Sequence, residues 1–284
     1  MPNRNGKNQQ RIRLRKSLGQ NILLDRNINR IMVEAAQVAE SDLVVEVGPG
    51  YGGLTEFIAQ RADAVFAIEI DHRFEPILQE KFGGCPNVTI FIGDVLNHDL
   101  TELLAARLPH QGPLKMVSNL PYYITSPILE HFLESNLYFE TMVVMVQKEV
   151  AERLTAGPGT RDYGVLSLAA RFHAELDKIR DVPRTCFRPA PDVDSAIVRF
   201  RCRSRTTVEG ANKEFLFRVI RAGFGERRKM LKNAIARSRD LQISRPALDE
   251  AFRAAHIDGN RRAETLDLDE FIRLSETLHR VKSG

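Results

Sequence analysis

Residues 43–53, Leu43-Val44-Val45-Glu46-Val47-Gly48-Pro49-Gly50-Tyr51-Gly52-Gly53, decide the fold class. A short, mostly apolar run ends in a glycine-rich turn, and a helical pattern follows from about Leu54. Such a run reads as a buried parallel strand. The same alternation repeats downstream: Val65 to Ile70, Val88 to Ile92, 114–118 and Met142 to Val146 read as strands. Helical stretches at about 73–82, 100–107 and 126–135 lie between them. Strands alternating with helices predict an α/β, doubly wound, Rossmann-like sheet. Residues 163–173 read as a further helix, and 174–182 and 194–201 as two last strands that close the sheet. After Cys202 the texture changes. Arg203 to Gly210 is polar and turn-like, and 212–223, 226–238, 246–255 and 267–280 carry helical periodicity. Ser244 and Pro246 suit the cap and first turn of the third of these. The expected organisation is a basic arm over 1–16, a ligand-binding α/β domain over 17–203 and a small α-helical domain over 204–284.

Composition places the chain among soluble globular proteins. Its 284 residues are 43% hydrophobic and 27% charged, which is ordinary for that class. No apolar stretch reaches the roughly 18 residues that span a bilayer. The N-terminal segment MPNRNGKNQQRIRLRK has no apolar core of the kind a secretory signal needs. Cys85, Cys186 and Cys202 are few, odd in number and scattered, which fits a reducing cytoplasm and speaks against a disulfide framework. The seven histidines show no metal-ligand spacing, so no metal is expected.

Charge is distributed unevenly. Residues 1–30 carry 8 Lys/Arg against 1 Asp/Glu, residues 31–200 carry 14 against 24, and residues 201–284 carry 19 against 12. An acidic middle between two basic ends is the footprint of a protein that holds a polyanion outside its central domain. Solvated helix faces are the alternative reading of each basic cluster.

The glycine loop lets the backbone turn sharply and approach a ligand. Glu69 ends the second strand 21 residues beyond Gly48, where a carboxylate suits the two hydroxyls of an adenosine ribose. Gly48, Gly50 and Gly53 also satisfy the dinucleotide pattern G-x-G-x-x-G, so a nicotinamide-dependent oxidoreductase is an alternative. Two features favour S-adenosyl-L-methionine. Asp94, at the end of the third strand, can accept an adenine amino group, and Asn119 ends the fourth strand, aimed at the same crevice. Either carboxylate could instead serve as a helix cap.

Asn119-Leu120-Pro121-Tyr122 carries the chemistry. The exocyclic amine of a base is a poor nucleophile because its lone pair is delocalised into the ring. An Asn side-chain oxygen and a backbone carbonyl held rigid by Pro121 can accept its two N–H bonds and localise that pair. Tyr122 can stack on the base and fix its plane.

With these residues in place, the sequence resembles the rRNA adenine N6-dimethyltransferase family, and most of all its bacterial small-subunit members. Leu18-Gly19-Gln20-Asn21-Ile22-Leu23 resembles the family's G-Q-N-F-L motif, with Ile22 in place of Phe. Glu46-Val47-Gly48-Pro49-Gly50 matches E-[IV]-G-P-G. The block Gln147 to Arg153 and the stretch Phe187-x-Pro189-x-Pro191-x-Val193-x-Ser195 match further motifs. The resemblance implies a class I methyltransferase domain that binds S-adenosylmethionine through Asn21, Leu23, Gly48, Glu69, Asp94 and Asn119. It implies Phe187 as a second stacking partner. It implies dimethylation of N6 on two adjacent adenosines in the 3′-terminal hairpin loop of 16S rRNA, within an immature small subunit, by a monomeric cytoplasmic enzyme. Large-subunit methyltransferases of the antibiotic-resistance type share part of the pattern, but Pro49, Leu120 and the Gln147 block favour the small-subunit type.

Arg227, Arg228 and Lys229, with Arg261-Arg262, offer guanidinium and ammonium groups suited to RNA phosphates. Arg11, Arg13, Arg15 and Lys16 precede the cofactor motif and suit an arm that orders on RNA.

Overall fold

In a computed structural model of the chain, which describes residue 12 and residues 21–203 and 212–283, the Leu43–Val47 run is a strand buried along its whole length. The strands in chain order are β1 (Ile22–Leu23), β2 (Leu43–Val47), β3 (Ala64–Glu69), β4 (Val88–Ile92), β5 (Leu114–Asn119), β6 (Thr141–Gln147), β7 (Ala174–Val182), β8 (Phe187–Arg188) and β9 (Ser195–Cys202). Seven of them form one sheet in the order β4-β3-β2-β5-β6-β9-β7, which includes the two late strands. Pairing is parallel from β2 to β3, from β2 to β5 and from β3 to β4.

That order creates the feature that matters for function. The chain runs outward from β2 through β3 to β4, then returns to β5 on the other flank of β2. The loops after β2 and β5 therefore leave in opposite directions and open a crevice at the strand ends, where ligands settle in such sheets. The Val47 N–H donates to the buried Ser118 hydroxyl at 2.9 Å, which ties the two strand ends together below the crevice.

Helices Gly53–Ala59, Glu75–Phe82, Thr125–Glu134 and Val165–His173 fall where periodicity predicts them. The stretch 100–107 is shorter than expected, a helix over Leu100–Leu103 followed by a separate 3-10 turn at Ala105–Arg107. The expected helix 226–238 is confined to Leu231–Ala236. Residues 226–230 instead form a turn, whose Arg227 reaches across to carbonyls of another loop rather than lying along a helix face. Helices Arg26–Ala35 and Lys148–Thr155 and the two-stranded β1–β8 ribbon are additional elements.

The chain divides into two compact units. One comprises 1–137, 143–146 and 182–194, and the other 138–142, 147–181 and 195–284. The core of the second gathers Tyr163, Leu168 and Phe172 with Phe217, Ile220 and Phe271, so the helix Val165–His173 packs with the C-terminal helices. Its Ser244 caps helix Arg245–Ala254 through the Ala247 N–H. The arm residues 1–11 and 13–16, the Leu18-Gly19-Gln20 part of the first motif and most of the linker, 204–210, lie outside the described residues.

Candidate functional site

The strand ends of the first unit surround a single cavity whose wall includes Asn21, Leu23, Gly48, Glu69 and Asp94. Asn119, Leu120, Pro121 and Tyr122 complete the same wall. Residues from five segments, spread over a hundred positions of sequence, thus converge.

The glycine loop is shaped by its backbone. Gly48 has φ +77, a region that side chains with a Cβ adopt at a cost. Gly52, at φ +69, leaves no space at all: a Cβ there would lie 2.4 Å from the Phe82 ring. The loop is then pinned by Glu69, whose carboxylate accepts the Gly50 N–H at 3.0 Å and the Asp71 N–H at 2.9 Å. Burial pushes the Glu69 carboxyl above its ordinary range, opposed by the amides of Asp71 and Gly50. Asp94 both faces the cavity and caps the turn Val95–Asn97, accepting the Leu96 N–H at 3.0 Å. Its cap role and its place in the wall coexist.

The Asn119 loop is held from beneath. Leu120 is buried, and its N–H donates to the Met145 carbonyl on β6 at 3.1 Å. The Pro121 carbonyl already accepts the Thr125 hydroxyl at 3.0 Å and the Ile124 N–H at 3.3 Å. The backbone acceptor left for a ligand in this loop is therefore the carbonyl of Leu120, not that of Pro121. The Asn119 side-chain oxygen is buried with no hydrogen-bond partner among the described residues.

Two residues that sequence reasoning passed over belong to this wall. Glu46 sits on β2 at 1% exposure and faces the cavity. Burial drives its carboxyl up to about 8, the Thr55 hydroxyl opposes the rise, and the neighbouring Glu69 adds to it. One of its oxygens has no partner, and the nearby Thr55 hydroxyl makes no hydrogen bond of ordinary geometry. The Asn29 carboxamide oxygen is likewise buried and unpartnered, and Asn29 lines the same cavity. An acidic residue inside an otherwise apolar strand was the available signal for Glu46; nothing local marked Asn29.

Buried acceptors without donors are costly. Three in one cavity wall fit a ligand rich in N–H and O–H groups, which the adenosyl amino acid expected from the sequence is.

Phe187 is not among the residues of this wall. It is 4% exposed and its backbone pairs with Leu23 across the β1–β8 ribbon. In the second unit, Arg227 is engaged: its guanidinium donates to the carbonyls of Arg161 at 2.8 Å and Tyr163 at 3.1 Å and pairs with Glu264 at 3.4 Å. Arg228 and Lys229 are exposed. Among the described residues, no group of three or more His, Cys, Asp or Glu is placed to hold a metal, and no helix is long and apolar enough to cross a membrane.

Comparison with known proteins agrees with this geometry. A family profile described as ribosomal RNA adenine dimethylase matches residues 11–280. Ribosomal RNA small subunit methyltransferase A of Moorella thermoacetica is 45% identical over 268 residues, 93% of this chain and 92% of the relative. The protein of the same name from Alkaliphilus oremlandii is 43% identical over 263 residues, covering 93% and 91%. Among solved structures, a dimethyladenosine transferase from Plasmodium falciparum aligns with a TM-score of 0.80 at 24% identity, covering 92% of this chain and 98% of that one; at that identity it speaks for the fold. The 23S rRNA methyltransferase ErmE aligns with a TM-score of 0.70 at 30% identity, covering 91% and 100%. The crevice at the switch point, its acceptor-lined wall and the profile spanning nearly the whole chain lead to one conclusion: this chain belongs to the ribosomal RNA adenine dimethylase family.

Proposed function

We propose that the protein uses S-adenosyl-L-methionine to dimethylate N6 of two adjacent adenosines in the 3′-terminal hairpin loop of 16S rRNA, acting on an immature small subunit as a cytoplasmic monomer. The observation that carries this reading is the convergence of Asn119-Leu120-Pro121-Tyr122 with Gly48, Glu69 and Asp94 in one cavity wall. The names of the curated relatives at 41–45% identity support the choice of small-subunit rRNA.

The cofactor supplies an electrophilic sulfonium methyl group. Glu69 would hold ribose hydroxyls, Asp94 the adenine amine, and Asn21 and Leu23 would close over the bound molecule. The chain's remaining task is to make an adenosine amine nucleophilic. The Asn119 side-chain oxygen, which has no internal partner, accepts one N–H. The Leu120 carbonyl, anchored through its own residue's N–H to Met145, accepts the other. Two fixed acceptors that draw on its two N–H bonds localise the nitrogen lone pair, and Tyr122 holds the base by stacking. No strong base is required, because the proton becomes acidic only after the nitrogen is methylated. Positioning and preorganised acceptors supply the acceleration. Residues 204–284 and the arm 1–16 are assigned to RNA.

The deciding experiment transfers labelled methyl groups from S-adenosylmethionine to immature small subunits and maps the modified nucleotides. Label on two neighbouring adenosines of the 3′-terminal hairpin is expected. Label on large-subunit rRNA alone would replace this reading with the antibiotic-resistance type, and reaction with nicotinamide dinucleotides would replace it altogether.

A further inference from the structure

The glycine loop from Gly48 to Gly53 is held from several sides. Its backbone takes positive φ at Gly48, Gly50 and Gly52, residues with wide conformational freedom unless contacts fix them. Glu69 accepts the Gly50 N–H, and the Lys81 ammonium donates to the Gly52 carbonyl at 3.0 Å. Between these two pins stands Tyr51, whose ring meets Phe74 edge to face with centroids 5.1 Å apart. The Tyr51 hydroxyl accepts the backbone N–H of Ile12 at 3.2 Å. The two residues lie 39 positions apart, so this bond ties the N-terminal segment to the glycine loop.

The Ile12 side chain belongs to the same attachment. It is partly buried and packs against the cluster of Phe74, Leu78 and Phe82. Ile22 and Tyr51 pack against that cluster too. Ile22, Tyr51 and Phe74 are also residues of the cavity wall. Ile22 lies against the loop itself: a Cβ on Gly50 would meet its Cδ1 at 3.5 Å. One apolar cluster thus supports both the crevice wall and Ile12. An isoleucine between Arg11 and Arg13 has here an apolar task that phosphate contacts would not give it.

We propose that Ile12 is a positioning residue of the cofactor site: its N–H and side chain clasp Tyr51 and the Phe74 cluster, and so hold the glycine loop in the shape that receives S-adenosylmethionine. The N-terminal segment, assigned above to RNA, then has a second role that needs no RNA. The inference rests on the cofactor reading of the previous section and adds to it a residue outside the wall. Ile12 is not among the residues of the wall, so it acts through Tyr51 and Phe74. A loop already fixed in its binding shape loses less conformational freedom when the ligand arrives, and the clasp is therefore read as affinity.

The test combines calorimetry of S-adenosylmethionine binding to the full-length protein, without RNA, with hydrogen exchange over 48–53 in the free protein. Ile12→Ala should lower affinity roughly 3- to 10-fold and speed exchange in that loop. Ile12→Val keeps the N–H and most of the side chain, and should return both to near wild type. Ile12→Pro also removes the donating N–H and should bind more weakly than Ile12→Ala. Tyr51→Phe keeps the ring on Phe74 but loses the acceptor, so a loss of about 2- to 5-fold is expected. In the Ile12→Pro background, Tyr51→Phe should cost nothing more, because both changes remove the same bond. Additive losses there would mean that the Tyr51 hydroxyl meets the cofactor directly, and would overturn the clasp. Wild-type affinity and exchange in Ile12→Ala and Ile12→Pro would overturn it as well, leaving the cofactor reading intact. Wild-type protein that binds no S-adenosylmethionine would overturn the cofactor reading itself, and this inference with it.

Discussion

The crevice of the first unit and the basic loops of the second are built on opposite terms. In the crevice, polar groups are buried and left wanting: oxygens of Glu46, Asn29 and Asn119 have no internal partner. In the loops, no buried side-chain nitrogen or oxygen among the described residues lacks a partner, and the cations of Arg228 and Lys229 stand exposed to water. Orphaned buried acceptors cost stability until a ligand arrives, whereas exposed cations cost almost nothing. The difference teaches that the crevice is shaped for a specific ligand at the expense of the fold, while the loops offer charge to a polyanion at no such expense. Substitutions in the crevice should therefore change rate and affinity sharply, and in one case raise stability.

Asn119→Ala should have the largest effect. It removes the oriented side-chain acceptor and leaves the Leu120 carbonyl in place. A loss of about 10²-fold or more in methyl transfer is expected by analogy with deleting one preorganised polar group. Cofactor affinity should hardly move, since the Asn119 backbone persists. Single-turnover transfer near the wild-type rate would erase the distinction drawn between the two regions. Glu69→Ala acts earlier. A carboxylate that bonds both ribose hydroxyls is worth about 2–3 kcal/mol, so S-adenosylmethionine affinity should fall about 30- to 150-fold by calorimetry. Because Glu69 also pins Gly50 and Asp71, the variant should expose the glycine loop to exchange as well. Undiminished affinity would reduce Glu69 to that scaffolding role.

How far the sequence could be read follows the same divide. The sheet, the glycine loop and the strand-end residues Glu69, Asp94 and Asn119 were legible because parallel strands are continuous apolar runs and their ends are punctuated by Gly, Asp or Asn. Spacing alone then placed them at one edge of the sheet. Elements without periodicity were not legible: β1 and β8 are two residues each, and the helix Arg26–Ala35 is marked mainly by its Asp25 cap. The surroundings of Phe187 were hidden for this reason. Its motif is aromatic and proline-flanked, and only the fold shows its backbone pairing with Leu23 across that short ribbon at 4% exposure. The partners of Arg227 were hidden differently. Its sequence neighbours are cations, yet its partners Arg161 and Tyr163 lie more than sixty residues away. A charge declares its sign in sequence but its employment only in three dimensions.

Tyr122 sharpens the comparison at intermediate scale, because it lines the crevice and should work through its ring rather than through a buried polar bond. Tyr122→Ala should cost about 1–3 kcal/mol of base binding, the usual range for one stacked base. Tyr122→Phe keeps the π face and should stay within a few-fold of wild type. KM for the RNA substrate and the transfer rate, measured for both variants, separate the two cases. Equal damage from both would assign the work to the hydroxyl.

The smallest expected effect is on stability, and it runs in the direction opposite to most core substitutions. Glu46 is fully buried, with its carboxyl raised to about 8. In the unfolded chain it titrates near 4.5. Between those values the folded protein holds a proton that the unfolded chain has released. Stability contributed at this site is therefore intact below about 4.5, declines as pH rises towards about 8, and is constant above it. Glu46→Gln has nearly the same shape and no titration, so its melting temperature relative to wild type should climb across that window. In a chain of this size each kcal/mol corresponds to roughly 2–4 °C, and a gain of at least one such step by pH 8 is expected. Arg228→Ala, on the exposed loop, should stay within about 0.5 kcal/mol of wild type at every pH. A Gln variant that tracks wild type across the whole window would mean that the Glu46 carboxylate is already ionised and solvated in the ligand-free crevice. The crevice would then be no more costly to the fold than the basic loops.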